Sequence, residues 1–501
     1  MTASDLLRAA PTEACQPWAR HVLTPDEWRA LVAALPGEPT LALLALWADT
    51  IQVHALFHDE AAAQFIPASV PVVAARYPSL AAHRPAAAWF ERMIHDLWGH
   101  QPEDAPVPRP WLDHGQWSNT APLSPRPIPR SGAAAPPDFL EAEGDDLSLI
   151  PVGPVHAGII EPGHFHFSVA GETVVRLEVR LGYAHKGTLQ LMRGKTPRAA
   201  ARFAARLSGD TTVAHSIAFA HAAEAAVNTP APPRAVALRG VMGELERIAN
   251  HIGDCGAIVG DASFAYLPAR CFLHREAVLA ACALAFSHRL MMDAVIPGGV
   301  ALDIATGGQV AILRALAAAE AELPDLVEIY ESHASVADRT IGTGIVSPAL
   351  AARMAAGGVV GRASDRGIDL RIQPGYPPFD TIVPAMARRA EGDVDARIRI
   401  RFTELTESIR LVRALLATLP EGEIAVSLPM SSGEGIGWAE GFRGDIWHWM
   451  RLDGGLVASA FMRDPSWLHW PLLEQAIDGN IVADFPLINK SFNASYSGVD
   501  L

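Results

Sequence analysis

The stretch HFHFSVAGETVVRLEVRLG, residues 164–182, alternates apolar and polar side chains on both sides of Gly171. A period of two puts successive side chains on opposite faces of a strand, and a glycine between two such runs supplies a hairpin turn. The residues after it change period. From about Thr196 to Ala226 an alanine-rich segment carries apolar residues at helical spacing, which predicts helices. Pro230, Pro232 and Pro233 interrupt it and launch RAVALRGVMGELERIANHIGDCGAIVG, residues 234–260, which reads as another helix. Further helices are predicted over 272–292, 308–335 and 394–418. The glycine-rich 425–460 reads as loops and short strands. Strands followed by a run of helices give an α+β fold, mainly helical with a β-rich start.

Upstream of this lies a separate unit. Residues 1–120 read as a small α/β domain, residues 121–146 as a Pro-rich, semi-rigid linker, and residues 147–501 as the large domain. The chain of 501 residues is long enough for several cores, and half of it is hydrophobic. A formal net charge of −15 excludes a protein built to bind nucleic acid over its surface. The most apolar run, Leu41 to Phe57, contains Asp49, Gln52 and His54 and is too short for a membrane span. The first residues lack the basic flank and apolar core of a signal peptide. The cysteines Cys15, Cys255, Cys271 and Cys282 never fall into a CxxC spacing. They are expected to be reduced and buried, and the chain to hold no zinc or iron–sulfur site of its own.

A series of short motifs runs through the large domain. GPVH (153–156) and EPGHF (161–165) come first, then RLGYAHKG (180–187) and ELERIANH (244–251). PGG (297–299), RTIG (339–342), RAS (362–364) and DLR (369–371) follow, with EGFRG (440–444) and SFNASYSG (491–498) last. Their joint order resembles the large subunits of membrane-bound, energy-converting [NiFe]-hydrogenases and the related quinone-site subunit of respiratory complex I. In the first unit, WFERMIHDLWG (89–99) is similar to the signature of a small complex I subunit. The order small then large in one chain resembles the formate hydrogenlyase branch. Residue by residue, Glu91, Arg92 and Asp96 read equally well as an exposed, charge-paired helix.

The resemblance also marks what is missing. The family holds nickel and iron on two CxxC pairs, because soft thiolates bind these metals. Those positions fall here on Ser208, Thr211, Ser495 and Gly498. Hydroxyls titrate far above neutral pH and glycine has no donor, so no such centre is expected and metal is expected to be absent. The chain ends at Leu501, just past Gly498, as expected of a subunit that undergoes no nickel-gated trimming. Of the family's quinone ligands, the first histidine matches His156, whereas the second falls on Ile160 and the tyrosine on Gly209. His215 and Tyr496 are possible substitutes.

Glu161 matches a carboxylate implied in proton delivery and Arg443 an arginine that overhangs the metal. With His156 and His215 they are the candidate catalytic residues, and Asp210 is a local addition. The resemblance implies a subunit of a membrane-associated, complex I-like oxidoreductase without hydrogenase activity of its own. Its implied partners are a small subunit carrying a [4Fe–4S] cluster and antiporter-like membrane subunits, through which it would lie peripherally on the cytoplasmic face of the inner membrane. No cofactor is expected in this chain, although quinone remains possible. Two alternatives stay open: a quinone-reducing NADH dehydrogenase-like subunit, and a scaffold with its cleft filled by Trp438, Phe442 and Trp447. A groove lined by Glu161, His164, Arg443 and the 208–215 segment is expected to be incompletely buried in the isolated chain.

Overall fold

The run Leu41–Phe57 folds as a hairpin. The strand Leu41–Ala48 is buried at all eight positions, and Gln52–Asp59 returns antiparallel to it. A strand apolar on both faces needs cover on both. One face receives the helix Ala87–Trp98, and across the other Trp47 meets Trp449 and Phe461 of the large domain at ring distances of 5.7 and 5.6 Å. The computed structural model describes residues 1–107, 109–132, 139–140, 142–144, 146–157 and 160–501. The first unit is a five-stranded sheet, antiparallel except where Arg20–Val22 runs parallel to Gln64–Pro71. With the helices Ala3–Ala9, Pro25–Ala34 and Ala87–Trp98 it makes the small α/β domain expected, around a mixed sheet. Two of its helices start on capping boxes, Thr2 with Asp5 and Thr24 with Glu27, which satisfy first-turn amides.

Part of the expected linker is strapped to this unit. Asn119–Thr120 pairs with Ile128–Pro129, and Leu123 is buried with its amide donating to the Leu97 carbonyl. Residues 133–138, 141 and 145 of the linker lie outside the described residues. The hairpin read from 164–182 is present. His164–Ala170 pairs with Thr173–Arg180 around Gly171 at φ +63°, and Ser148–Val152 adds a third strand.

The helices follow their predicted order. Pro197–Ala204 and Thr212–Ala226 form the first pair, and Pro233–Asp261 runs through the middle of the large domain. It packs on Tyr266–Phe286 and Val394–Ala417, with Gly308–Ser332 outside. Tyr266–Phe286 starts and ends earlier than 272–292, because Ser287 takes a left-handed φ of +61° and stops it.

The glycine-rich 425–460 region departs most from expectation. It holds a regular antiparallel sheet of Gly433–Glu440, Asp445–Asp453 and Leu456–Arg463. Gly433, Gly435 and Gly437 fall on one face, and a β-carbon on them would lie 1.9, 2.3 and 2.2 Å from the carbonyls of Ala226, Ala222 and Ala218. Glycine here permits a helix backbone to lie directly on a strand; it is not a turn signal. The alanines on the facing helix serve the same close approach. The sheet's edge also meets the first unit: Gln16 and residues 434–436 exchange backbone hydrogen bonds, and Arg20 pairs with Glu434 at 2.9 Å. Trp438 stacks on Trp18 in this contact and Trp447 packs against both at a tilt.

Candidate functional site

The helix Thr212–Ala226 begins at the first vacated ligand pair, and an acid from the next helix caps it. Both carboxylate oxygens of Glu246 accept amide protons, from Val213 at 2.7 Å and Ala214 at 3.0 Å. Those amides belong to the first turn, which has no partner within its own helix. Burial pushes the Glu246 carboxyl up to about 8, against those amides, and the nearby Asp210 charge adds to the rise. Asn250, from the same ELERIANH motif, donates to the Asp210 carbonyl at 2.9 Å. The motif thus fixes the turn that presents Ser208 and Thr211.

The second pair arrives from the far end of the chain. Ser208 Oγ and Ser495 Oγ are 2.8 Å apart across 287 residues of sequence, and the Gly498 amide donates to Ser495 Oγ at 3.0 Å. The four positions therefore meet, as the resemblance requires. They fit poorly as a metal site. Ser208, Thr211 and Ser495 offer neutral hydroxyls that hydrogen-bond one another and their neighbours. A β-carbon on Gly498 would lie 2.9 Å from Asp464 Cγ and 3.0 Å from Ser495 Oγ, so even a restored side chain lacks room. Among the described residues no group of three or more His, Cys, Asp or Glu is arranged to hold a metal ion. The four cysteines are buried elsewhere, and burial pushes Cys271 and Cys282 up to about 12.

An ion pair occupies the space over the hydroxyls. Arg443 Nη1 donates to Asp210 at 2.7 Å, Thr211 Oγ1 at 2.5 Å and Ser208 Oγ at 3.5 Å. Its Nη2 donates to the other Asp210 oxygen and its Nε to the Asn493 carbonyl. Burial works against the Arg443 charge, but the Asp210 carboxylate outweighs it and raises the guanidinium further. In return Arg443, against burial, holds Asp210 low. Burial is uneven along the expected groove: Glu161 and Gly209 are exposed and His164 is half-buried. Arg443, Ser208, Thr211 and His215 are buried, while Asp210 forms the partly exposed rim. Phe442 lies under the guanidinium, 4.5 Å from ring centre to Cζ, whereas Trp438 and Trp447 belong to the contact with the first unit. The site is thus closed by a charge pair and not by those aromatics.

Beneath it runs a histidine relay that sequence reading only half found. His215 Nε2 is 2.9 Å from Asp464 Oδ2 and its Nδ1 is 3.0 Å from His448 Nε2. Burial opposes ionisation of Asp464, yet the His215 hydrogen bond prevails and holds the carboxylate well below its usual range. Burial and the neighbouring ring push His448 well down, so it is neutral. One tautomer set satisfies both bonds: His448 Nε2–H donates to His215 Nδ1, and His215 Nε2–H to Asp464. No single-sequence signal singles out Asp464 or His448.

The remaining candidates lie at the edge. His156 Nε2 contacts the Gly163 carbonyl at 2.7 Å, half-buried, and His164 is half-buried on its strand. Glu161 is exposed and accepts the Ser497 amide at 3.0 Å. Tyr496 packs edge-on to Trp470. Behind the site, the ELERIANH, RAS, DLR and EGFRG motifs converge on one sealed cluster. Arg362 bonds Glu404 and Glu440 at 2.7 Å each, Arg371 holds Asp369 and Glu244, and His251 meets Glu404 at 2.8 Å. Burial raises Glu440. In the first unit Glu91 and Asp96 are buried and not exposed. Glu91 accepts from Ser79 and the Leu80 amide, Asp96 from the Trp111, Leu112 and Asp113 amides, and Arg92 donates to the Arg109 and Pro110 carbonyls. They fasten loops within their own domain.

Comparison with known proteins agrees with this arrangement. Residues 21–126 match the 30 kDa subunit, and residues 262–432 the 49 kDa subunit, of respiratory-chain NADH dehydrogenase. Formate hydrogenlyase subunit 5 of Escherichia coli K12 is 28% identical over 440 residues, covering 85% of this chain and 77% of its own. The carbon monoxide-induced hydrogenase of Rhodospirillum rubrum is 28% identical over 352 residues, 70% of this chain and 98% of its own. A chain of the membrane-bound sulfane sulfur reductase, an archaeal respiratory membrane complex, shares the fold with a TM-score of 0.67 at 20% identity, over 72% of this chain and 100% of that one. The chain belongs to the family that joins energy-converting hydrogenase large subunits to the 49 kDa subunit of complex I, with a 30 kDa-type domain fused ahead of it, and it is a member without the cysteine ligands.

Proposed function

We propose that the chain is a peripheral subunit of a membrane-bound oxidoreductase complex, in which it docks and couples its partners without binding nickel or turning over hydrogen. The observation that carries this reading is the Arg443–Asp210 pair seated over Ser208, Thr211 and Ser495. The same backbone that would gather four thiolates gathers hydroxyls, and a buried guanidinium satisfies them. A buried cation next to the ligand positions also repels a metal ion. The relatives' names, hydrogenlyase and hydrogenase subunits, support the assignment to such a complex. Membrane attachment would come through partners, since no helix among the described residues is long and apolar enough to cross a bilayer. The expected partners are a small subunit bearing a [4Fe–4S] cluster and antiporter-like membrane subunits, with attachment on the cytoplasmic face. Quinone reduction at this site is the weaker reading. The family's ligand positions carry Ile160 and Gly209, and both ring nitrogens of His215 are already engaged.

The test is to purify the complex from membranes and analyse its subunits, nickel and hydrogen-dependent dye reduction. A cluster-bearing subunit in fixed ratio, without nickel or hydrogen turnover, is the expected result. One nickel per chain with hydrogen oxidation overturns the reading.

A further inference from the structure

The helix Pro197–Ala204, one turn before Ser208, carries an uncompensated basic face. Arg198 and Arg202 stand four apart, in line on one side of the helix, and Arg206 follows in the turn just past its end. Its other side buries Pro197, Ala200, Ala201 and Ala204. Like charges at this spacing repel, roughly as strongly as an opposite pair attracts. Only Arg206 is relieved, by a two-point pair with Asp293 at 2.6 and 2.7 Å. Arg198, Arg202 and the adjacent Lys195 make no ion pair among the described residues, although the chain has an excess of acids. Lys195 is one of only three lysines in the sequence.

These three cations border a groove of about 560 Å³ between the helix and the hairpin at Val295–Ile296. Phe203, Val295 and Ile296 contribute its apolar lining, and Asp293 is already held by Arg206. We propose that this groove is a docking site for an extended, acidic segment of a partner polypeptide. Its carboxylates would take Arg198, Arg202 and Lys195, and its apolar side chains would rest on Phe203 and the hairpin. Charge complementarity selects an anion. Arginine forks pair carboxylates at two points, and an apolar lining rewards side chains that a phosphate ion lacks. The concave shape favours a chain segment over a flat bilayer surface. On a chain of net charge −15, screening over about 8 Å confines the attraction to this patch. The inference holds whether or not the hydroxyl site is redox-active.

The test uses the purified full chain and a labelled, capped peptide of alternating aspartate and leucine, followed by fluorescence anisotropy. Saturable binding is expected, weaker by about tenfold or more both for the asparagine version of the peptide and for the protein with Arg198→Glu and Arg202→Glu. Both arginines are exposed, so the urea midpoint should stay unchanged, and Arg198→Gln with Arg202→Gln should fall between. Phosphatidylglycerol vesicles form the second arm. No saturable peptide binding, binding indifferent to charge reversal, or vesicle binding through the same arginines without peptide binding overturns the proposal.

Discussion

Replacing Ser208 and Ser495 together by cysteine should let a disulfide form between them. The two hydroxyl oxygens are 2.8 Å apart, which puts their β-carbons in or near the range of about 3.5–4.5 Å that a disulfide spans. The bridge would close a loop of 287 residues. The chain-entropy relation gives about 5–6 kcal/mol for a loop of that length, an upper bound because engineered bridges commonly deliver less. Ser208 also loses its bonds to Asp210 and Arg443, which subtracts about 1 kcal/mol each. With an unfolding entropy of about 2.1 cal/mol/K per residue, the net gain corresponds to a rise of about 3–4 °C in melting temperature for the whole chain. The assay is thermal unfolding of the variant with and without dithiothreitol, with thiols counted in denaturant. The four native cysteines are buried and serve as the baseline. After native-state oxidation the count should return to that baseline, and reduction should add both new thiols. Each single replacement should show no redox-dependent shift. If both new thiols remain free after oxidation, the two ligand positions are not neighbours, and the site as described here is wrong.

Removing the Arg362 guanidinium by Arg362→Leu leaves Glu404 and Glu440 facing each other in a sealed space; a loss of about 3–5 kcal/mol in urea unfolding is expected, partly recovered by adding Glu440→Gln. Glu246 has a folded-state pKa of about 8, above the ordinary 4.5, so its ionised form is the disfavoured one. The stability contributed at Glu246 should be fully present below about 4.5 and be lost as pH rises towards about 8, with a slope of at most about 1.4 kcal/mol per pH unit; Glu246→Gln should remove that component of the wild-type profile, and an unchanged profile would contradict the assignment. Arg443→Ala leaves Asp210 and the hydroxyls without their donor. Asp210 is partly exposed, so the expected cost is about 1–3 kcal/mol by thermal or urea unfolding. Restoring cysteine at Ser208, Thr211, Ser495 and Gly498 should give no nickel by elemental analysis, even beside a complete maturation system, because Asp464 stands where the last side chain must go.

Local chemistry was enough to read the hairpin around Gly171, the order of the helices and the identity of the motif series, because periodicity and turn residues act within a few positions. It also sufficed to show that no cysteine stands at the four ligand positions, since the donor type is written in the residue itself. The sheet at 433–463 was legible only as loops and short strands, for a definite reason. Gly433, Gly435 and Gly437 carry the composition of a loop, and only the helix lying on them explains it. Glu91 and Asp96 read equally well as motif residues or as part of an exposed, charge-paired helix, and turned out to bond loops that return from elsewhere in the first unit. The same holds at the site. The sequence named Ser208, Ser495 and Arg443 as isolated matches. Whether Arg443 overhung an open cleft or sealed it depended on Asp210 reaching back to it across 233 residues of chain. His448 and Asp464 entered only because the sheet and the loop after it come to rest beside His215. Hydrogen bonds and ion pairs act over a few ångströms, while the sequence orders residues along a chain hundreds of positions long. Which charges meet, and therefore whether this site is open or closed, is settled by packing alone.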